Sequence, residues 1–270
     1  MNVKILFNKI EYNINLSNFY DISIPLKFNG KQPNFYDVNK AKAQPLITNN
    51  TVWSVKDKAS CNVPEIFLNI HCNGTHTESV AHLLKDSSSI SEIFNEIFIP
   101  SILITVDPQK IINNNDYHVE LDDSDLVITE HIIDKKLSKF NLKNIKGLIL
   151  RTLPNSDIKK ELFYPKNKYP FFTNKSIKFL NKIGIKHLLV DTPSIDRYDD
   201  DGQLGNHRLF WNNSNNIDDQ IDINSKKTIT EFCYIDNEIG DGMYFVNLQL
   251  PHFSLDAAPS RPLLFKATKD

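Results

Sequence analysis

The stretch from Lys146 to Asp191 constrains the fold of this chain more than any other. Lys146-Gly147-Leu148-Ile149-Leu150-Arg151-Thr152 is a short apolar run with the composition of a strand. Thr173 to Ile183 carries Ile177, Leu180 and Ile183 at helical spacing, and Gly184 is a natural helix stop. His187-Leu188-Leu189-Val190-Asp191 follows as a buried strand. Strand, helix and strand joined by turns of a few residues make an α/β unit. The 270 residues suffice for one large core or two small ones. No internal repeat or long linker divides the chain, so residues 1–270 are read as one domain.

Other elements fit around that unit. Ile10, Tyr12, Ile14 and Leu16 alternate with polar residues, which predicts a half-buried strand in a hairpin with Val3, Ile5 and Phe7. Residues 27–50 hold little periodicity and read as a long surface loop. Ile66 to Ile70 reads as a short apolar strand, Ser88 to Phe98 as a short helix, and Ile99 to Val106 as a buried strand interrupted by Pro100. Ile132 to Phe140 looks helical. Residues 212–226 read as a loop, and 227–250 alternate like strands.

Composition excludes some classes. A net charge of -2 leaves no basic excess to neutralise phosphates, so nucleic acid is not expected as a partner. The lysine pairs at 135–136 and 226–227 read as solvated faces. Three cysteines form no paired framework, which points to a reducing compartment. The N-terminal residues contain no long apolar run, so neither a signal peptide nor a membrane span is expected. The expected location is cytoplasmic.

Chemistry concentrates in His71-Cys72-Asn73-Gly74-Thr75-His76-Thr77-Glu78-Ser79-Val80-Ala81-His82. A zinc or manganese ion needs imidazoles and carboxylates converging on one point. His76 and Glu78, two apart on an extended chain, share a face. His82 follows four residues after Glu78, on the same side if the chain turns helical there. A single histidine in a strand is usually a packed or surface residue. Three with an acid in twelve positions leave a metal site and a polar histidine-rich loop both open.

This motif is similar to the HxGTHxDxPxH signature of the cyclase family, which includes kynurenine formamidase and isatin hydrolase. Tyr20 to Leu26 resembles that family's DLSxP[IL] opening, Gly147 to Thr152 its ALLIRT strand, and Asp191 to Asp196 its DTPSID element. His207-Arg208-Leu209-Phe210, Ile229-Thr230-Glu231-Phe232 and Asp256 to Pro262 (compare DGSPVRA) match further family stretches in order. The resemblance implies a swivelling β/β/α domain of α/β class, with a mixed sheet or barrel-like core, outer helices, and assembly as a homodimer or homotetramer. It implies one or two divalent ions, zinc or manganese, held by His76, Glu78, His207 and Glu231, with His82 as acid/base. Without it, an exposed loop histidine would be the plain reading of His207, and an exposed strand acid that of Glu231.

Three departures matter. The family's aspartate is Glu78 here, longer by one methylene. Its proline is Val80, which loses local stiffness. Its first histidine falls on Cys72 in a gap-free match, and strand parity also puts 72, 76 and 78 on one face. Either Cys72 is a thiolate ligand that favours zinc, or a bulge at Asn73-Gly74 returns His71 to the ligand face. Imidazole keeps the family's ligand type, which favours His71.

The resemblance implies metal-assisted hydrolysis of an amide-type carbon–nitrogen bond, in a formamide or cyclic lactam, with His82 moving the proton. The substrate would be a small molecule, aromatic or a cyclic amide. The alternatives are a small-molecule binding homologue with an altered site, or a lactone hydrolase, dehydratase or cyclase on the same metal site. His118 (in an alternating strand), His131 (in a polar helix) and His187 (at the start of a core strand) read as structural. His252 is ambiguous, and Trp53 reads as core. Specificity is expected in the loops at 27–65 and 197–226.

Overall fold

The computed structural model describes residues 1–269 apart from residues 86, 111–115 and 213–215. Nine strands build its main sheet: β1 (Tyr20–Asp21), β2 (His76–Glu78), β3 (Ile99–Val106), β4 (Gly147–Thr152), β5 (His187–Val190), β6 (Thr228–Glu231), β7 (Gly242–Gln249), β8 (Ala257–Pro259) and β9 (Arg261–Lys266). Their order across the sheet is β8-β2-β6-β5-β4-β3-β7-β9-β1. β3 to β6 are parallel to their neighbours within that block, and every flanking pair is antiparallel. The helices are α1 (Ile70–Asn73), α2 (Ile90–Ile93), α3 (Glu130–Leu137), α4 (Asn174–Lys182) and α5 (Gly205–Trp211).

Parallel neighbours cannot be joined by tight hairpins, so each successive pair needs a crossover. α3, α4 and α5 lie within those crossovers in chain order. Side chains alternate across the sheet with a period of two. Ile102, Ile104, Leu148, Leu150, Leu188 and Val190 therefore meet the helices, where Ile133, Ile177, Leu180, Phe210 and Trp211 complete a buried cluster. Leu103, Ile149 and Leu189 face the other way, onto Ile22, Cys233, Ile235 and Val246. Both faces are covered, which is why these strands read as unbroken apolar runs. α4 begins at Thr173, whose Oγ1 accepts a bond from the Ser176 N–H, and is followed by Gly184 at φ +83°.

The expected N-terminal hairpin is present as Asn2–Phe7 and Ile10–Asn15, with Tyr12 and Ile14 packed on Phe245, Leu263 and Phe265. The α/β class, mixed sheet and outer helices are as the sequence led us to expect.

Several local expectations fail. Residues 27–50 are more than a surface loop. They hold the strands Lys42–Pro45 and Ile47–Thr48, and bury Gln32, Asn34, Phe35 and Ala41. The strand expected at 66–70 is instead Pro64–Phe67, exposed throughout and paired with Lys42–Pro45 outside the main sheet. The chain then coils into α1. The helix expected over 88–98 contracts to α2, held by a capping box between Ser89 and Glu92. His118 lies in bends rather than a strand. Trp53 is half-buried beside a short hairpin, where its Nε1 donates to Thr48 Oγ1 at 2.7 Å, and it joins no core cluster among the described residues. Of the loop expected at 212–226, residues 213–215 lie outside the described set.

Candidate functional site

β2 lies between β6 and β8, with Glu231 and Pro259 both opposite His76. Directly opposed residues of an antiparallel pair share a face. His76, Glu78 and Glu231 thus project together, while Thr77 and Thr230 point the other way and bond through their hydroxyls at 2.8 Å. α5 adds His207 to the same face. His207 Nε2 stands 2.9 Å from Glu78 Oε1 and 3.6 Å from Glu231 Oε1. These four side chains are at most 5% exposed and form a dry floor.

α1 supplies His71. The bulge expected at Asn73-Gly74 is absent, because a helical turn does its work. That turn breaks strand parity and swings His71 over the floor, while Gly74 at φ 168° is ordinary extended backbone. His71 Nδ1 lies 3.1 Å from Glu78 Oε2, and its Nε2 lies 2.9 Å from Asp256 Oδ2. Cys72 points elsewhere, into a cluster with Ile24, Phe35 and Phe232, where burial pushes its thiol up to about 11. A single turn at Val80–His82 places His82, whose Nδ1 is 3.1 Å from the same Asp256 oxygen and 3.9 Å from Glu78 Oε2. His71, His82 and Asp256 are 25–32% exposed and form a wetter mouth. Asp256 is fixed there because its carbonyl accepts from both the backbone N–H and the hydroxyl of Ser79.

Hydrogen bonds set the imidazole tautomers. A carbonyl only accepts, so His76 Nδ1, 3.0 Å from the Gly74 carbonyl, carries the proton. His76 Nε2 is therefore a lone pair, and burial with the nearby His71 charge holds this imidazole down at about 3. That lone pair faces the Glu231 carboxylate at 3.5 Å. His76 Nε2 is buried with no hydrogen-bond partner among the described residues, and Glu78 Oε1 meets His207 Nε2 at 2.9 Å. A buried acceptor left unpaired costs roughly 1–3 kcal/mol. A cation beside it would satisfy it, so the donor set of imidazole nitrogens and carboxylate oxygens fits a divalent first-row metal. His71, His76 and Glu78 offer atoms within 4.8 Å of one another, and so do Glu78, His207 and Glu231. Glu78 is common to both groups.

The charges on the floor oppose one another. Burial would raise Glu78, but His82 and His207 together with bonds from His207 and His71 hold it well below the usual carboxylate range. Burial and the Glu78 charge push Glu231 up. His207 is raised well above its usual value despite burial, by Glu78, Asp196 and Glu231.

Asp196 and Asp256 are the site aspartates to which sequence reasoning gave no role. Asp196 Oδ2 lies 2.7 Å from His207 Nδ1, and its two oxygens accept the Asn206 and His207 backbone N–H groups at the start of α5. These are donors that no helix can satisfy internally. Each aspartate lies within a stretch resembling the family, and that was the available signal. His118 stands 3.3 Å from Asp200 and 3.9 Å from Asp196. Its Nδ1 meets Asn174, and a Cβ added at Gly205 would sit 2.3 Å from that nitrogen. Asp196 and Asp200 are already bonded to Tyr117 and to the Leu204 N–H, so this second cluster reads as the buttress of α5.

Residues 20–197 match the family model described as "Putative cyclase". A kynurenine formamidase of Bacillus cereus is 30% identical over 199 residues, covering 72% of this chain and 78% of that one. Another from Bacillus cytotoxicus is 28% identical with the same coverage. Among solved structures, a predicted metal-dependent hydrolase of Bacillus stearothermophilus superposes with a TM-score of 0.59 at 17% identity, over 92% of this chain and 98% of that one. An isatin hydrolase bound to the product analogue thioisatinate gives 0.60 at 12% identity, over 93% of each. At such identities the structural matches speak for the fold alone.

Proposed function

This chain belongs to the putative cyclase family, and from that premise we propose that it is a metal-dependent hydrolase of an amide-type carbon–nitrogen bond, in a formamide or a cyclic lactam. The observation that carries the reading is the unpartnered, buried His76 lone pair set against Glu231, beside Glu78 and His207, whose facing atoms are 2.9 Å apart. His71, His76, Glu78, His207 and Glu231 would hold one or two zinc or manganese ions, with Glu78 shared. When bound, such an ion supplies Lewis acidity and a water acidified towards ~7.

The side chains do the rest. His76, its proton held by Gly74, and His207, its Nδ1 held by Asp196, present their Nε2 atoms inward. Asp256 holds Nδ1 of His82, which leaves Nε2 as the free proton-carrying edge. His82 takes the proton of the attacking water and returns it to the departing nitrogen. Relatives named kynurenine formamidase and a fold shared with an isatin hydrolase favour an aromatic or cyclic amide as substrate.

The experiment is hydrolysis of formamide, lactam and lactone panels, read as the carboxylic acid formed, by wild type and His82→Ala. Wild type should turn over an amide, lose activity on chelation and regain it with zinc or manganese. His82→Ala should lose about 10²–10⁴-fold in turnover while still binding metal. Turnover of lactones alone, or none of any panel, would overturn the amide reading. Loss of metal by His82→Ala would make that residue a ligand.

A further inference from the structure

One loop aims both floor ligands that come from outside the histidine motif. It runs from Asp191, just past β5, to Asp196. Its Ile195 N–H donates to Glu231 Oε1 at 3.0 Å, and its Asp196 carboxylate holds His207 Nδ1 at 2.7 Å. It also fixes the way the chain leaves Glu231. Phe232 takes φ of +56°, an outlier for a bulky side chain. That turn is held because the Phe232 N–H donates to the Thr192 carbonyl at 3.0 Å and the Phe232 carbonyl accepts from the Thr75 hydroxyl. Inside the loop, Thr192 Oγ1 donates to the Ser194 carbonyl, and the Asp196 N–H donates to Ser194 Oγ. The loop is braced within itself, so its placement is decided at its root.

The root is Asp191. Its side chain is fully buried, with Oδ1 accepting from the Thr152 hydroxyl and Oδ2 from the Thr152 N–H, both at 2.9 Å. These bonds tie the end of β5 to the end of β4. A buried carboxylate needs a countercharge as well as hydrogen bonds. Lys159 provides it. Its Nζ lies 2.8 Å from Asp191 Oδ2 and also donates to the carbonyl and the hydroxyl of Thr152. It is the only cation paired with Asp191 among the described residues. Lys159 comes from the turn Asp157–Glu161, outside the sheet. The same segment grips the chain that follows Glu231. Asn155 donates to the Ile235 carbonyl at 2.8 Å, and the Lys160 ammonium lies 4.0 Å over the Tyr234 ring.

We propose that Lys159 is a positioning residue of this site: by neutralising Asp191 it fixes the 191–196 loop in the placement that aims Glu231 and His207 at the ion they share with Glu78. This rests on the metal-dependent reading above and adds the residue that sets the aim of two of its ligands. Lys159 acts through Asp191 and the loop. Its own ammonium is taken up by Thr152, Asn155 and Asp191, none of them a ligand.

The test is zinc affinity, by calorimetry of chelator-treated protein, with Lys159→Met placed in three backgrounds. In wild type and in His71→Ala it should weaken binding by about 10-fold, the low end of what loss of an outer partner costs. In Glu231→Gln one of the two aimed ligands is already altered, so the added loss should be no more than about 3-fold, because residues that act through a common partner are not additive. Hydrogen exchange on metal-free protein gives a second reading. Lys159→Met should speed exchange of the Ile195 N–H by about 10-fold while Ile104 in β3 changes by less than about 2-fold. Lys159→Gln keeps a donor for Asp191 without the charge. It should show the same pattern more weakly, and it replaces Lys159→Met if that variant does not fold. Unchanged zinc affinity would overturn the proposal. So would equal losses in all three backgrounds, or exchange that quickens equally at Ile195 and Ile104, the signs of a general structural role. If wild type binds no zinc, the metal-dependent reading fails, and exchange at Ile195 against Ile104 alone decides whether Lys159 fixes the loop.

Discussion

The floor and the mouth of the site use the same residue types to opposite ends. On the floor, His76, Glu78, His207 and Glu231 are nearly inaccessible, and the His76 Nε2 lone pair lacks a hydrogen-bond partner among the described residues. At the mouth, His71 and His82 both reach Asp256, and all three remain a quarter to a third exposed. Burial is what separates them. In a dry setting an unpaired acceptor is costly and a bound cation is the natural remedy. In a wet one a carboxylate can orient two imidazoles and let one of them exchange protons with solvent.

The largest way to break the comparison is at the support of the floor. Asp196 is 1% exposed and holds both His207 and the first N–H groups of α5. Asp196→Ala leaves the His207 Nδ1 proton and two backbone N–H groups without their acceptor, and each buried donor left unsatisfied costs roughly 1–3 kcal/mol. Denaturant unfolding should show that loss. A loss under about 0.5 kcal/mol, the range of ordinary surface substitutions, would mean the floor is not held as described.

The smaller effect belongs to the mouth and sharpens the contrast. His71 is raised to about 10, with burial opposing, by bonds to Asp256 and Glu78. A raised folded pKa contributes stability that is full below the unfolded value of ~6.5 and fades as pH climbs towards 10. Asp256 is depressed by bonds from His71 and His82, so its contribution is present above ~3.9 and fades on acidification. Metal-free wild type should therefore lose stability from pH 6.5 to 9.5 more steeply than Asp256→Asn. With the pair close to a third exposed, the difference should be about 1 kcal/mol or less. Urea midpoints at the two pH values give the comparison, and parallel slopes would sever Asp256 from His71.

The floor was half legible in the sequence. Strand parity placed His76 and Glu78 together without any structure. Glu231 and His207 are more than 120 residues away along the chain, and only the resemblance assigned them. Parity misled at His71, because it presumes a strand where the chain makes the helical turn of α1. The mouth was less legible. Asp256 reaches His82 across 174 residues through loop backbone, and nothing periodic marks it. The α/β unit of β4, α4 and β5 was plain because its strands are buried on both faces and its helix carries both caps. The exposed strand at Pro64–Phe67 was misread because its apolar residues suggested burial that the fold does not give them.

The central claim is that the floor is a cation site. Isothermal titration of chelator-treated protein with zinc or manganese tests it directly, on wild type, Glu78→Gln and Asp256→Asn. Wild type should bind one or two ions. Glu78→Gln should weaken binding by more than the ~10–100-fold that loss of an outer partner costs, and Asp256→Asn by no more than that range. Absence of binding to wild type, or equal affinities in wild type and Glu78→Gln, would contradict it.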